Sequence, residues 1–306
     1  MKCDAIIIGD VHIKDHKWWR DYAHPLFFKW LSEIESDHYI FTGDFFDNTS
    51  PNWTTWAMTI QWIGSLKGQV HIIQGNHEIS NLKGNILPSF KTSLSNLEIY
   101  TEPTHVMITD MDFLMVPFLN GSRIKMIEKY NSMEDECDVL VAHVSPVGFN
   151  YGQEETDFPL VTTKWKCFGH IHNPNGDIVG VPVSTREGER GDKRVFGFKD
   201  GKRIEIPVPN FIEYVDIEYS DSIEVIPGRI LNIKNAPSLQ EALNKFSDHW
   251  IRPEGTTLLR TENELTVESV EDLSLVMADP KSFLHYSREE GLSKEVIDRC
   301  IEAFNQ

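Results

Sequence analysis

Residues 5–12 read AIIIGDVH: a short aliphatic run, then a glycine, then an aspartate and a histidine. A short apolar run bounded by glycine is typical of a buried β-strand. The polar pair would then lie just beyond the carboxyl end of a strand, which is where open α/β sheets place their functional sites. This stretch therefore predicts both an α/β fold and the position of a site within it.

Four further motifs repeat the arrangement along the first 172 residues. Apolar runs at 39–42, 70–74, 139–142 and 166–168 each lead into one of them. The motifs are, in order, Gly43–Asp47 (GDFFD), Gly75–Glu78 (GNHE), Ala142–His143 and Gly169–His172 (GHIH). One Asp-x-His is common by chance, whereas five such pieces in series are not. We therefore predict a single site built from five strand ends.

The residue types in these motifs suit a pair of divalent metal ions. Carboxylate and imidazole ligands together favour Mn²⁺, Fe²⁺ or Zn²⁺ over Ca²⁺ or Mg²⁺. A carboxylate can bridge two ions about 3.5–4 Å apart, and such a pair clamps the attacking and leaving oxygens of a phosphoryl displacement. We predict two divalent ions and expect both to be Mn²⁺. The residues alone do not show which ligand bridges them.

With all five motifs present over residues 9–172, the chain resembles the calcineurin-like metallophosphoesterases. The resemblance implies a two-layered β-sandwich flanked by helices. It also implies that His77 stabilises the transition state or protonates the leaving oxygen. The implied ligands of one metal are Asp10, His12, Asp44 and His172, and those of the other are Asp44, Asn76, His143 and His170, with Asp44 as the bridge.

Other polar residues have simpler interpretations. An aspartate before a loop is usually a helix cap or a turn former. We expect Asp47 and Glu78 to support the ligands or cap the chain rather than to bind metal. Histidines outside the motifs are expected on the surface or in the core, namely His16, His24, His38, His71, His105, His249 and His285.

The composition is that of an ordinary globular protein, with 306 residues, 40% hydrophobic and 25% charged. This length allows one to three domains. The sequence contains no apolar run of about 18 residues, so we expect no membrane span, and the start of the chain lacks the apolar stretch of a signal peptide. The four cysteines are scattered and are expected to be reduced thiols. We expect a cytoplasmic protein, and the resemblance to bacterial and phage family members at Asp47 implies a bacterial cell or a phage-infected host.

The net charge of −18 argues against a strong grip on DNA by this chain alone. Phosphate contacts normally need a basic surface, although bound divalent ions change the local sign. The loop at 184–194 is rich in arginine and follows the last motif closely. Such a loop is usually only solvated, but DNA contact is an open alternative. The candidates for that contact are Arg186, Arg190, Lys193 and Arg194.

The chain divides into three predicted parts. Residues 1–212 alternate strands and helices and form the metallophosphoesterase domain, including a strand at 177–183 and a hairpin around Asp200-Gly201. Residues 213–267 form a small α/β cap domain that binds DNA, with a helix at 238–250 that starts at a capping box and a strand at 257–260. Residues 268–306 form a helical tail for partner binding.

Two helices are predicted in the first part, one within 18–36 and one within 52–65. The second carries an apolar stripe at helical spacing, formed by Trp53, Trp56, Ile60 and Ile63. The stripe is most simply part of the core. Because the corresponding helix in similar nucleases helps form a homodimer, a dimer interface is the alternative, and the sequence leaves both open.

The motifs do not choose among phosphoester substrates, but the arrangement after them favours DNA. The small α/β unit and acidic tail resemble the nuclease subunits of double-strand-break repair nuclease–ATPase complexes, of the bacterial SbcD type and its phage counterpart. Asp47 stands where bacterial and phage members carry Asp and others carry His. The first hypothesis is therefore a Mn²⁺-dependent DNA exonuclease and endonuclease. The alternatives are a phosphatase or phosphodiesterase acting on small molecules or proteins, and a scaffold without activity, which the intact ligand set disfavours.

The same resemblance implies a partner, an SMC-like ABC ATPase that acts with the nuclease in DNA recombination and repair. Its coiled-coil base would receive the C-terminal helices, since such short helices rarely hold together alone in water. Packing of these helices on residues 213–267 is the alternative. The apolar residues predicted to make the contact are Phe283, Leu284, Val296, Ile297 and Ile301.

Overall fold

A six-stranded sheet carries three of the five motifs. The structure is a computed structural model that describes residues 2–80, 84–91, 94–119, 123–149, 155–189, 191–252 and 256. In spatial order the strands are β12 (Lys202–Val208), β11 (Lys193–Lys199), β1 (Cys3–Ile8), β2 (Ser36–Phe41), β3 (Gln69–Ile73) and β6 (Leu97–Tyr100). Because β1, β2 and β3 are parallel, the motifs that follow them emerge at one edge.

A four-stranded sheet carries the other two motifs. Its strands are β10 (Val161–Phe168), β9 (Asp135–Ala142), β8 (Met111–Val116) and β7 (Thr104–Ile108). Strands β8, β9 and β10 are parallel and β7 is antiparallel to β8. A two-stranded ribbon, β4 (Ile79–Ser80) and β5 (Gly84–Asn85), follows the third motif.

The two larger sheets are stacked with apolar side chains between them. In β1, Ala5 and Ile7 belong to the cluster shared with the second sheet, whereas Ile6 and Ile8 pack among the helices. Strand β9 alternates in the same way, with Val141 between the sheets and Leu140 on the outer face. Burial of both faces explains why these strands are continuous apolar runs in the sequence.

Helices cover the outer faces of both sheets. A π-helical turn, Trp19–Ala23, leads into α1 (His24–Glu33), which packs on the first sheet with α2 (Trp53–Ser65) and α3 (Leu87–Lys91). Helix α4 (Arg123–Asn131) packs on the second sheet. The predicted α/β sandwich flanked by helices is thus confirmed. Among the described residues, no helix is long and apolar enough to cross a membrane.

A smaller three-stranded sheet follows residue 212. It contains β13 (Glu213–Glu218), β14 (Arg229–Lys234) and β15 (Trp250–Ile251), with α5 (Leu239–Lys245) beside it. This part has a hydrophobic cluster of its own, which includes Leu231, Ile233 and Phe246. Residues Met1–Thr257 nevertheless form one compact unit. The domain boundaries at 212 and 267 therefore stay predictions.

The predicted helix cap at 238 and the predicted turn at 200–201 are both present, and α2 also begins at a capping residue. The side chain of Asn52 accepts a hydrogen bond from Thr55 N at 2.9 Å at the start of α2. The hydroxyl oxygen of Ser238 accepts one from Glu241 N at 3.1 Å at the start of α5. The β11–β12 hairpin turns at Asp200 and Gly201, both with positive φ, as its tight turn requires.

Two element predictions are corrected. Residues 177–183 make only two isolated bridges, both through Ile178, because the chain turns back at once and Gly180 adopts a φ of 79°. The helix predicted at 238–250 ends at Lys245, and Trp250 lies in β15, where its ring stacks on Trp18. The strand predicted at 257–260 and the tail at 268–306 lie outside the described residues.

Candidate metal centre

The predicted ligands converge from five strand ends. Their donor atoms form three overlapping groups, and within each group the atoms lie within 4.8 Å of one another. The groups are Asp10, His12 and His172; then His12, Asp44 and His77; then Asp44, His143 and His170. Asn76 joins the third group, since its side-chain oxygen lies 3.0 Å from a ring nitrogen of His143 and 3.0 Å from one of His170.

Three of these residues have a backbone conformation that residues other than glycine rarely adopt. His12, Asp44 and His170 have φ values of 47°, 44° and 73°. Positive φ is uncommon for residues other than glycine, and such strain concentrates at functional sites. At these three strand ends, positive φ occurs at residues whose side chains point into the same site.

Two motif glycines are required by close approach. A Cβ at Gly75 would lie 2.2 Å from both the backbone nitrogen and Oδ1 of Asp44. A Cβ at Gly169 would lie 2.6 Å from Oδ1 of Asp10 and 2.5 Å from the hydroxyl of Thr42. Neither position has space for a side chain, so only glycine lets these loops approach the carboxylates.

In the first half of the centre, Asp10 is buried and doubly held. Its Oδ2 accepts from His170 N at 2.8 Å and its Oδ1 from the hydroxyl of Thr42 at 3.2 Å. Beside it, Nε2 of His12 faces Nε2 of His172 at 3.0 Å. Two such nitrogens attract each other only if one carries a proton or if a cation binds both.

In the second half, hydrogen bonding fixes the tautomer of His143. Its Nδ1 donates to the carbonyl oxygen of Thr42 at 2.8 Å, so Nε2 is directed to the oxygens of Asn76 at 3.0 Å and Asp44 at 3.4 Å. The other oxygen of Asp44 lies 3.7 Å from Nε2 of His12. The two oxygens of Asp44 therefore face the two halves of the centre.

The ionisation of the buried groups is consistent with a cation site. Although burial opposes it, His143 and His12 hold the pKa of Asp44 well below its usual range. Burial lowers the pKa of His143, but Asp44 and Asp10 raise it to about 10. Burial lowers the pKa of His170 to about 4, which keeps that ring neutral. His143 thus holds a proton that a divalent cation would displace on binding.

The residues present fit a centre of two divalent ions. Imidazole nitrogens, carboxylate oxygens and one amide oxygen suit first-row divalent metals. Asp10, His12 and His172 would hold one ion, while Asn76, His143 and His170 would hold the other. Asp44 is the shared group, because one of its carboxylate oxygens lies 3.7 Å from Nε2 of His12 and the other lies 3.4 Å from Nε2 of His143.

His77 lies at the accessible rim of the centre. Its side chain is 31% exposed, in contrast to the buried side chain of Asp44 beside it. Nδ1 donates to the carbonyl oxygen of Asp47 at 2.7 Å, and Nε2 lies 3.9 Å from Asp44 Oδ2. This geometry leaves the ring beside the ligands, where a phosphoryl group could approach.

Asp47 and Glu78 contact the surroundings of the ligands and belong to none of the three donor groups. The carboxylate of Asp47 lies 3.5 Å from Nδ1 of His12 and 3.1 Å from the ammonium of Lys14. Glu78 is fully buried and accepts from Phe46 N at 2.9 Å and Gly75 N at 2.8 Å. Burial and the nearby Asp44 raise the pKa of Glu78 to about 8.

Glu189 is a residue of the centre that the sequence did not indicate. Its buried carboxylate forms a short hydrogen bond with Nδ1 of His172, which leaves Nε2 of that ring facing the ligands. Thr185 N and Arg186 N also donate to the Glu189 carboxylate, at 2.5 and 3.0 Å. Although burial opposes it, the His172 hydrogen bond lowers the pKa of Glu189 to about 2. A lone glutamate in a charged loop carries no signal for this role.

The four predicted DNA contacts are not equivalent. Arg186 is exposed, and Arg190 lies outside the described residues. The prediction is wrong for Lys193, which is 4% exposed and whose ammonium donates to the carbonyl oxygen of Glu189. Arg194 is engaged within the fold, since its guanidinium pairs with Glu205 at 2.8 Å and donates to backbone carbonyls.

The apolar stripe of α2 also divides. Ile63 is fully buried and is therefore a core residue, which rules out the alternative of an interface for this position. Trp56 stacks on Phe46 with ring centroids 5.9 Å apart and is partly buried, as is Ile60. Trp53 points outward and is 79% exposed. Of the four residues, Trp53 is the one most available to a partner.

One family of known proteins matches this chain in sequence. The sequence model of the calcineurin-like phosphoesterase family matches residues 5–174, more than half of the chain. No curated protein matches. Among solved structures, an archaeal phosphodiesterase is 16% identical over 66% of this chain and 98% of its own, with a TM-score of 0.36. The nuclease MPE of Pseudomonas putida is 16% identical over 66% of this chain and 87% of its own, with a TM-score of 0.32. The family match spans all five motifs whose side chains meet in the centre, and the chain therefore belongs to the calcineurin-like phosphoesterase family.

Proposed function

We propose that this phosphoesterase is a Mn²⁺-dependent DNA exonuclease and endonuclease. The observation that carries the hydrolytic chemistry is the position of Asp44, whose two oxygens face two separate sets of donors. When bound, two divalent ions at such a centre supply Lewis acidity to a phosphoryl group and acidify water. Manganese is proposed because the donor set mixes imidazole with carboxylate and amide oxygens.

The chain's own residues have distinct parts in this proposal. The metal pair would be held by Asp10, Asp44, Asn76 and the four ligand histidines, and Glu189 holds His172 in one tautomer through its hydrogen bond to Nδ1. His77 donates a hydrogen bond from Nδ1 to the carbonyl oxygen of Asp47, and its Nε2 is directed toward the centre. When protonated, Nε2 would donate a hydrogen bond to a phosphoryl oxygen or a proton to the leaving oxygen.

A second candidate is a phosphatase or phosphodiesterase for small-molecule or protein substrates. The net charge of −18 favours it, because DNA binding draws most of its affinity from phosphate contacts with cations. The DNA hypothesis therefore needs a partner that supplies the DNA affinity an acidic chain lacks. In our proposal an SMC-like ABC ATPase supplies much of the DNA grip and binds the C-terminal tail, while two nuclease chains associate through α2.

The deciding experiment compares substrates. Wild-type protein is incubated with Mn²⁺ and linear duplex DNA, bis(p-nitrophenyl) phosphate or p-nitrophenyl phosphate. We expect cleavage of DNA and of bis(p-nitrophenyl) phosphate, with little release of p-nitrophenol from p-nitrophenyl phosphate. Efficient hydrolysis of the monoester with intact DNA would instead support the second candidate.

The variant Asp44→Ala tests the shared ligand in the same assay. We expect it to lose all hydrolysis and to bind less Mn²⁺ by titration calorimetry, because both donor sets lose an oxygen. Full activity of this variant would contradict the two-metal scheme for either substrate class.

A further inference from the structure

A separate cavity of about 360 Å³ lies beside the candidate centre. Its size falls within the range of small-molecule sites, which begins at about 300 Å³. Aromatic and cationic side chains line it, chiefly His16, Trp18, Trp19, Arg186, Tyr214 and Arg252. They come from three parts of the fold: the loop after the first motif, the loop before Glu189, and the small third sheet.

The aromatic wall is held rigidly. The indole nitrogen of Trp19 donates to the carbonyl oxygen of Ser184 at 2.9 Å. Trp18 stacks on Trp250 of β15, with ring centroids 5.5 Å apart and an angle of 11° between the ring planes. The rings of His16 and Trp18 are packed in a T-shaped arrangement, with centroids 4.7 Å apart. A preformed wall of this kind presents an apolar surface to a flat ring at little entropic cost.

The rim of this cavity carries cations although the chain as a whole is acidic. Arg186 and Arg252 line it, and Arg186 is exposed. Lys17, which follows the lining residue His16 in the chain, is also exposed. Burial, and then the charges of Lys17, Lys14 and Arg20, lower the pKa of His16. Aromatic rings beside arginine and lysine are the combination that single-stranded nucleic acid binds, through base stacking and phosphate contact.

The cavity and the metal centre share two short segments of chain. On one side, His16 lies four positions after the ligand His12, a separation that spans at most about 14 Å even when the chain is extended. On the other side, Thr185 N and Arg186 N donate to Glu189, which in turn binds the ligand His172. A nucleotide adjoining one cleaved at the centre therefore lies within reach of the cavity.

We propose that this cavity receives the base of an unpaired nucleotide next to the scissile phosphodiester. The proposal rests on the nuclease function proposed above and specifies its substrate as DNA with a frayed or single-stranded end. Stacking on Trp18 and Trp19 would be tolerant of sequence, because every base has a flat face. Arg186 would contact the phosphate that joins this nucleotide to the next.

The test measures KM for a duplex with a short single-stranded end, alongside bis(p-nitrophenyl) phosphate. Trp18→Ala should raise KM for the DNA about ten-fold or more, and Trp18→Phe, which keeps a stacking face, should stay close to wild type. Arg186→Ala should also raise that KM, whereas the control Lys199→Ala, on an exposed residue of β11, should not. The two Trp18 variants and Lys199→Ala should hydrolyse the small diester as the wild type does.

A substrate series on wild-type protein keeps the proposal testable even if Trp18→Ala does not fold. Replacing successive nucleotides of the single-stranded end with abasic residues should raise the wild-type KM about ten-fold at one position and leave Trp18→Ala unaffected there. No effect at any position, or the same KM for Trp18→Ala and wild type, overturns the proposal while the nuclease function stands. Hydrolysis of the small diester without cleavage of any DNA overturns the nuclease function itself.

Discussion

At the scale of single residues, the centre depends on hydrogen bonds that fix which histidine nitrogen faces inward. His143 is held by the carbonyl of Thr42, His77 by the carbonyl of Asp47, and His172 by the carboxylate of Glu189. Each bond engages Nδ1 and leaves Nε2 for the centre. Partners of this kind orient metal-binding rings and raise their basicity, so their loss weakens metal binding without removing a ligand.

Glu189→Gln provides the first test of this arrangement. The amide oxygen of glutamine can still accept hydrogen bonds, but its NH₂ group would face hydrogen-bond donors, which include Thr185 N, Arg186 N and the ring of His172. We expect affinity for Mn²⁺ to fall about 10–100-fold by titration calorimetry. Glu205→Gln, on the exposed partner of Arg194, is the matched control. Equal Mn²⁺ affinity in wild type and Glu189→Gln would show that His172 needs no support.

His77→Ser tests the residue at the rim. Because His77 is expected to act on the substrate, its loss should lower kcat about 10²–10⁴-fold while both metal ions stay bound. Metal content by mass spectrometry provides the second measurement. His77 Nε2 lies close enough to Asp44 and His12 for ligation to be the rival role. Loss of one ion per chain would establish that rival.

At the scale of elements, α2 has an inner face and an outer end. Ile63 and Trp56 contribute to the packing of the first sheet, whereas the indole of Trp53 extends into solvent. Trp53→Glu should therefore leave the melting temperature close to that of the wild type. If α2 joins two chains, the variant should sediment as a monomer at micromolar concentration while the wild type sediments as a dimer.

The control for this experiment is Thr54→Glu, which adds the same charge at the neighbouring exposed position of α2. It should leave any dimer intact. A wild-type protein that sediments as a monomer under the same conditions would rule out the dimer proposed for α2.

Strands β7, β8 and β9 are joined on their surface by His105. Its Nε2 lies 3.0 Å from Asp135 and its Nδ1 lies 2.8 Å from Asp112. The hydrogen bond with Asp135, followed by that with Asp112, raises the pKa of His105 although burial opposes the shift. Although burial opposes it, the bond from His105 also lowers the pKa of Asp135.

These shifts give the His105 cluster a defined pH window. Because its folded pKa is raised, His105 contributes stability below its unfolded pKa of about 6.5, and that contribution is lost as the pH rises through the folded pKa. Asp135 contributes above about pH 3.9 and its contribution is lost as the pH falls further. His105→Gln should therefore lower the melting temperature most between about pH 4 and 6.5, and the difference should disappear under alkaline conditions. A constant difference across thermal melts from acid to alkaline pH would contradict this account.

At the scale of the whole molecule, an acidic chain is expected to depend on a partner for DNA affinity. Deleting residues 270–306, which lie outside the described part of the chain, should leave Mn²⁺-dependent nuclease activity intact. The same deletion should abolish co-purification with the SMC-like ATPase and any ATP-stimulated cleavage. Retention of the complex by the truncated protein would exclude the tail as the docking site.

The sequence by itself determined the five strands that lead into the motifs, the motifs at their ends and the helices α1 and α2. These are local properties: a run of buried aliphatic residues, a glycine where no side chain fits, and a cap such as Asn52 are each encoded within a few residues. The motif residues could be singled out because five of these local patterns occur in series. Their order along the chain, however, carries no distances.

Only the tertiary structure decided which side chains meet and which are buried. In the structure, Glu189 forms a hydrogen bond with His172, and Lys193 is buried. Within α2, Ile63 is buried whereas Trp53 is exposed. It also placed Trp250 in a strand against Trp18, forming the wall of a cavity. The physical reason is that burial and hydrogen bonding between distant segments depend on how sheets and loops pack together. A residue's own neighbours in sequence contain little information about that packing.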